Sequence, residues 1–419
     1  MARPAIHPAA TVISVIPTQS DIVPTHPEPV RAPRKVHLAW AAPLVGLSAV
    51  TLFAVLAISL LPSNWFVAKP RCTGSSKECK IQFGLVPADA QPVEPRLEVK
   101  GLTTYPTKGQ IYFVTIREPE LTVMDYLVTH HQPSVRFMSY TDKYGNQTEE
   151  QLLQSGQRQM TGAKDRATYV ALKAAGFDVT RKNGPAIIDY IVCQQPNAAR
   201  TKCDQEAPAA KVLKPNDTIL AINDTKITTL DDISPALKTV KAGDTVQVSI
   251  SRDGKESKVA VQTLQAPGET TPRTIIGFAP VDTTTVSLPS GLQVNFSTEG
   301  IGGPSAGLAF TLTLIDTVTK GDLMGHHRIA VTGEIDIDGK VGAIGGLNSK
   351  AKAVQQTGVK YFLVPASQPK ETNGVPNPDS IAAAQRVVGD SMQLIAVDTL
   401  DDALAVLRRL GGDPLPAKQ

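Results

Sequence analysis

The run LAWAAPLVGLSAVTLFAVLAISLL, Leu38 to Leu61, holds 24 residues without one charged side chain. As a helix rising about 1.5 Å per residue it would extend roughly 36 Å, more than the roughly 30 Å hydrocarbon core of a bilayer. Buried core helices rarely stay uncharged for so long. A cleaved signal peptide has a shorter apolar region, about 7–15 residues, and a small-residue cleavage site that does not follow convincingly here. The run therefore predicts one transmembrane helix over 38–61. Arg31, Arg34 and Lys35 precede it, Lys69 and Arg71 follow it, and Trp40 and Trp65 sit where interface anchors would. That bias favours a cytoplasmic N-terminus and an extracytoplasmic body.

The flanks agree with this division. The first 35 residues carry seven prolines and no sustained hydrophobic period, so 1–37 reads as a disordered cytoplasmic tail. All four cysteines, Cys72, Cys79, Cys193 and Cys203, follow the apolar run in two close pairs. Two short disulfide loops would suit an oxidising compartment, with four free thiols as the open alternative. Neither pair has zinc-site spacing and no histidine completes a set. The first pair falls in a linker, 62–94.

Formal net charge is +3 with 19% charged residues spread along the chain, so no basic patch points to nucleic acid. Residues 95–175 read as strands, such as GQIYFVTI, followed by a polar helical stretch. From 176 to 264 the pattern is a small β-rich module. DTILAIND is a strand, TLDDISPALKTV a short helix capped by Thr229, and TVQVSISRDGKESKVAVQ a hairpin closed by Asp253-Gly254. From 275 to 412 strands and helices alternate: a helix from Pro304 to Thr319, a hairpin closed at Asp338-Gly339, a helix capped by Asn348, and a last helix from Leu400. The fold class is α+β, with an N-terminal transmembrane helix, a β-rich module and a terminal α/β domain.

The run KPNDTILAINDTKITTLDDISPALKTVKAGDTVQVSISRDGK resembles a bacterial PDZ domain. That resemblance implies a groove between strand Ala186–Val192 and the helix at Leu230–Val240, where an extended peptide adds as a strand. Residues Gln194 to Pro208 look like an insertion that carries the second cysteine pair.

The chemistry concentrates in EGIGGPSAGLAF, Glu299 to Phe310. Gly303-x-Ser305-x-Gly307 has the form of a nucleophile elbow, but no histidine follows His327, and an elbow hydrolase needs one downstream of its serine. A hydroxyl is a poor nucleophile while it keeps its proton, and a desolvated lysine can remove it. Downstream, VTGEIDIDGKVGAIGGLNSKAKA offers Lys350 in the first turn of a helix, with Lys352 as the competing base. GGPSAG followed by this stretch resembles the proteolytic domain of the Lon family, whose serine–lysine dyad falls here on Ser305 and Lys350. The resemblance covers Gly291 to Pro365 and, with the span and PDZ module, is similar to membrane-anchored, PDZ-containing Lon-like proteases.

What this resemblance implies is a single-pass cell-membrane serine endopeptidase acting on protein or peptide substrates, with 95–175 contributing to the peptidase fold. It also implies a homo-oligomeric ring, often of six subunits. Thr332 is a candidate to hydrogen-bond the lysine amine, with an ordinary strand residue as the open alternative. Many Lon enzymes have an acidic residue where this chain has Gly302. No Walker A loop occurs, so ATP-driven unfolding is not expected, and neither a metal nor an organic cofactor is indicated. A helix-terminal serine and a solvated lysine are the plain alternatives for the two positions. The rival function is a proteolytically inactive PDZ adaptor at the membrane, and a third reading is self-processing alone.

Overall fold

The computed structural model describes residues 41–419 apart from 70–78, 146, 198–201, 267–272, 371–376, 378 and 417–419. The chain divides into two units, 1–55 and 56–419. The tail expected over 1–37 and the pairing expected between Cys72 and Cys79 lie outside the described residues.

The transmembrane expectation is corrected. Helix α1, Ala41–Ser59, has 19 residues, and among the described residues no helix is long and apolar enough to cross a membrane. The end of the apolar run and the residues just after it are tied into the folded body. Val123 N–H donates to the Leu61 carbonyl at 2.9 Å, and Ser63 N–H donates to the Leu121 carbonyl at 2.8 Å. Ser63 is buried, and its hydroxyl donates to the Ile81 carbonyl.

The body starts with strands β1 (Phe83–Pro92), β2 (Gln110–Arg117) and β3 (Arg136–Met138), then helix α2 (Glu149–Ala174). The Thr148 hydroxyl and the Gln151 side chain close a capping box that fixes where α2 begins. The strands that build the next sheet include β4 (Ala186–Ile191), β5 (Thr218–Ile222), β6 (Thr245–Arg252), β7 (Lys255–Gln262) and β8 (Phe278–Asp282). The C-terminal part runs through α3 (Gly307–Val318), β9 (Arg328–Val331) and the short hairpin β10–β11 (Glu334–Ile335, Val341–Gly342). It ends with α4 (Leu347–Gln356), β12 (Tyr361–Pro365), α5 (Ile381–Val388), β13 (Gln393–Val397) and α6 (Leu400–Arg409).

A six-stranded sheet in the order β13-β12-β9-β2-β1-β3 joins the two ends of the body. β9 is parallel to both β12 and β2, with Ile329 opposite Tyr361 and Ile111, while β1 is antiparallel to β2. Alternation along β2 sorts its side chains to two faces, and both are buried. Ile111 and Phe113 pack with α2, α3 and α6, while Tyr112 and Val114 pack with α4 and α5. The helix that follows the serine turn and the helix that carries the lysine thus lie on opposite faces of one sheet.

The β-rich module is a second sheet, ordered β7-β6-β5-β4-β8, with its own core around Ile188, Ile219, Ile222, Val248 and Ile250. The hairpin β6–β7 pairs without interruption from Thr245 opposite Gln262 to Arg252 opposite Lys255. Two-residue closure at Asp253-Gly254 requires positive φ at both positions, and both have it. β4, which the sequence pattern makes the groove strand, is interior: β5 pairs on one side and β8 on the other, through Ile191 opposite Phe278 and Ala186 opposite Asp282. The edge strand is therefore β8, whose sequence lies with the peptidase part of the chain. Its recruitment depends on a long-range pairing that no local pattern announces.

Candidate active site

Ser305 lies in a turn just ahead of α3. The helix starts at Gly307 and not at Pro304, and Gly307 N–H donates to the Pro304 carbonyl at 3.1 Å to close the turn. Both walls hold this turn. On one side, Gly303 N–H donates to the Gly156 carbonyl of α2 at 2.8 Å. On the other, the Ser305 carbonyl accepts from Gly333 N–H at 2.8 Å and from the Thr332 hydroxyl at 3.2 Å. Gly333 has φ +152, and a Cβ there would meet Val341 Cγ1 at 2.6 Å, so only glycine fits the clamp.

The departure at Gly302 has a physical account. A Cβ on Gly302 would come within 3.3 Å of the Gly156 carbonyl carbon. A side chain at 302 would therefore press on the backbone of α2, which would have to give by a few tenths of an ångström.

Lys350 enters from the opposite face of the sheet. It is 3% exposed, and its Nζ lies 2.6 Å from Ser305 Oγ and 3.3 Å from Thr332 Oγ1. Burial pushes the ammonium down to about 8, against the partial opposition of the Asp379 and Glu334 carboxylates. An amine held there is close enough to neutrality to accept a proton, and the hydroxyl it touches is the nearest donor. Lys352 faces away and donates to Gln355 Oε1. Among the described residues, His326 pairs with Asp322, His327 lies against Tyr361, and His130 lies against His131.

Asn348 does not cap α4. Gly346 occupies the cap position in the left-handed region, and Asp379 Oδ1 accepts from Gly346 N–H at 2.7 Å and Leu347 N–H at 3.1 Å. Asp379 in turn pairs with Arg136 at 2.8 Å. Asp379 therefore fixes the turn that aims Lys350, and it stands 33 positions from the residue it caps. Its only local mark is a helix start after it, so sequence reasoning missed it. Arg166 and Glu334 were missed for the same reason. The Arg166 guanidinium donates to the Ile335 carbonyl, and burial raises the Glu334 carboxyl while Arg166 and Lys350 pull it back.

The second cysteine pair, Cys193–Cys203, is a disulfide with Cα atoms 5.6 Å apart.

The sheet, the turn and the buried amine belong to a serine-peptidase domain. Residues 297–408 match the family profile of the Lon protease (S16) C-terminal proteolytic domain, and residues 176–263 match that of the PDZ domain. The Lon protease of Neorickettsia sennetsu is 33% identical over 102 residues, 24% of this chain and 11% of that protein. The Lon protease of Mesomycoplasma hyopneumoniae is 36% identical over 97 residues, 23% of this chain and 10% of that one. The chain thus spans about a tenth of the length of these curated relatives. Among solved structures, the PDZ domain of the SdrC-like protein from Listeria monocytogenes is 22% identical, with a TM-score of 0.17. That match covers 22% of this chain and 88% of that one, too partial to add to the argument.

Proposed function

We propose that the chain is a serine endopeptidase that works without ATP, with Ser305 as nucleophile and Lys350 as its general base. The observation that carries this reading is the 2.6 Å approach of Lys350 Nζ to Ser305 Oγ in a site that holds the amine at about 8. Neutral Lys350 takes the hydroxyl proton while Oγ attacks the scissile carbonyl carbon. Backbone N–H groups of the turn ahead of α3, at the positive end of that helix, stabilise the oxyanion. The adduct collapses to an acyl-enzyme as Lys350 returns the proton to the departing amine, and Lys350, neutral again, then takes a proton from the water that frees the acyl group. Thr332 orients the amine between steps.

The PDZ-like module binds extended segments of substrate, as the match at 176–263 supports. The disulfide supports work in an oxidising, extracytoplasmic compartment. The likeness to Lon supports a homo-oligomer.

The test is cleavage of an unfolded protein, β-casein, by the chain and by its Ser305→Ala and Lys350→Ala variants. Loss of cleavage in both variants is expected. Equal cleavage by wild type and Ser305→Ala removes the dyad. An inactive wild type that still binds peptides returns the adaptor reading, and a single Ser305-dependent cut in its own chain returns self-processing.

A further inference from the structure

One cleft of about 1090 Å³ reaches from the PDZ-like sheet to the serine turn. Its walls come from three places: Pro280, Val281 and Asp282 of edge strand β8 with Thr229 and Leu230 opposite; the flank of α2; and Pro304 with the β10–β11 hairpin. The volume lies just above the roughly 300–1,000 Å³ range of small-molecule sites, so its size suits a stretch of polypeptide better. The outer edge of β8 has no strand partner among the described residues, whereas the β10–β11 hairpin has its outer backbone engaged, Val341 N–H donating to the Asp398 carbonyl and the Ile335 carbonyl accepting from Arg166. An unpaired backbone edge at the β8 end of a cleft that runs on to the serine turn suits an extended chain, which satisfies that edge by strand pairing.

We infer that one substrate molecule occupies both ends at once: an extended polypeptide adds as a strand to β8 and continues along α2 to the turn carrying Ser305. This rests on the endopeptidase reading. The PDZ-like module is then part of the substrate cleft and not a separate tether, and the docked segment lies at a fixed spacing from the bond that is cut. Pro280 within β8 offers no N–H, so pairing there uses the residues on either side of it.

The experiment is hydrogen exchange on the full chain carrying Ser305→Ala, with Lys350→Ala as a second trapped form, in the presence of β-casein or of a five-residue peptide. β-Casein is expected to slow exchange at least tenfold in both Phe278–Asp282 and Glu334–Val341, while the short peptide protects only one of the two segments. Protection of a single segment by β-casein, or of neither, overturns the inference. So does equal double protection by the five-residue peptide, which marks a transmitted structural change and not a shared occupant. Failure of the dyad reading shows separately, as cleavage of β-casein by the Ser305→Ala form.

Discussion

If Lys350 is the base, pH is the perturbation that reads it directly. With the amine at about 8, its neutral fraction is about 1% at pH 6, about a tenth at pH 7 and about half at pH 8. For a short peptide substrate with no titrating groups in this range, kcat/KM follows the free enzyme and should climb about tenfold from pH 6 to 7 and about fivefold from 7 to 8, flattening above 9. A solvated lysine, ionising at about 10.4, would keep the rate rising past pH 10. The difference corresponds to about 3 kcal/mol by which the site as a whole, burial set against the Asp379 and Glu334 carboxylates, disfavours the ammonium. Initial rates in constant-ionic-strength buffers from pH 5.5 to 10.5 make the measurement. A profile flat from pH 6 to 8, or one still climbing steadily at pH 10, would refute the assignment of this amine as the proton acceptor.

Other perturbations follow from the same coordinates. Below pH 8 the folded chain must hold a buried ammonium, a cost that fades as pH rises toward 10.5. Lys350→Met should therefore lower activity by roughly 10²–10⁴ while raising unfolding free energy at pH 7 by up to about 3 kcal/mol, with less gain at pH 10. Denaturant titration at both pH values checks it. Gly333→Ala drives a Cβ into Val341 and strains the clamp on the Ser305 carbonyl. A loss of about 1–3 kcal/mol in denaturation and a fall in kcat are expected. Asp316 is 3% exposed, and burial, then the Asp322 and Glu94 carboxylates, raise it to about 6. The folded state keeps that proton where the unfolded state releases it, so stability falls as pH rises from about 4 to 6. Asp316→Asn should gain about 1–3 kcal/mol at pH 8 and nothing near pH 4, and equal gains at both would sink the account.

The elements that depend on local chemistry were legible. Alternation and an Asp-Gly turn give the β6–β7 hairpin, and the apolar run expected as a helix from Pro304 to Thr319 forms α3, which starts later, at Gly307. Ser305, Thr332 and Lys350 could be named because a motif keeps them at recognisable spacings. What the sequence hid was long-range. Asp379, Arg166 and Gly156 act on partners in other segments, through a carboxylate cap, a guanidinium on a carbonyl and a bare helix backbone. The membrane expectation failed for a related reason. Hydropathy counts side chains along the run and takes no account of the backbone bonds by which Leu61 and Ser63 join Val123 and Leu121.

Helix α2 meets the β-rich module through Gln151, which donates to the Ile191 carbonyl, and through the pairing of Arg158 with Asp189. Gly156 and Arg166 on the same helix hold the serine turn and the β10 strand. Each added or deleted residue turns an α-helix by about 100°. A single insertion between 151 and 166 would swing some of these anchors off their partners, so the spacing of that stretch is as constrained as the chemistry it serves.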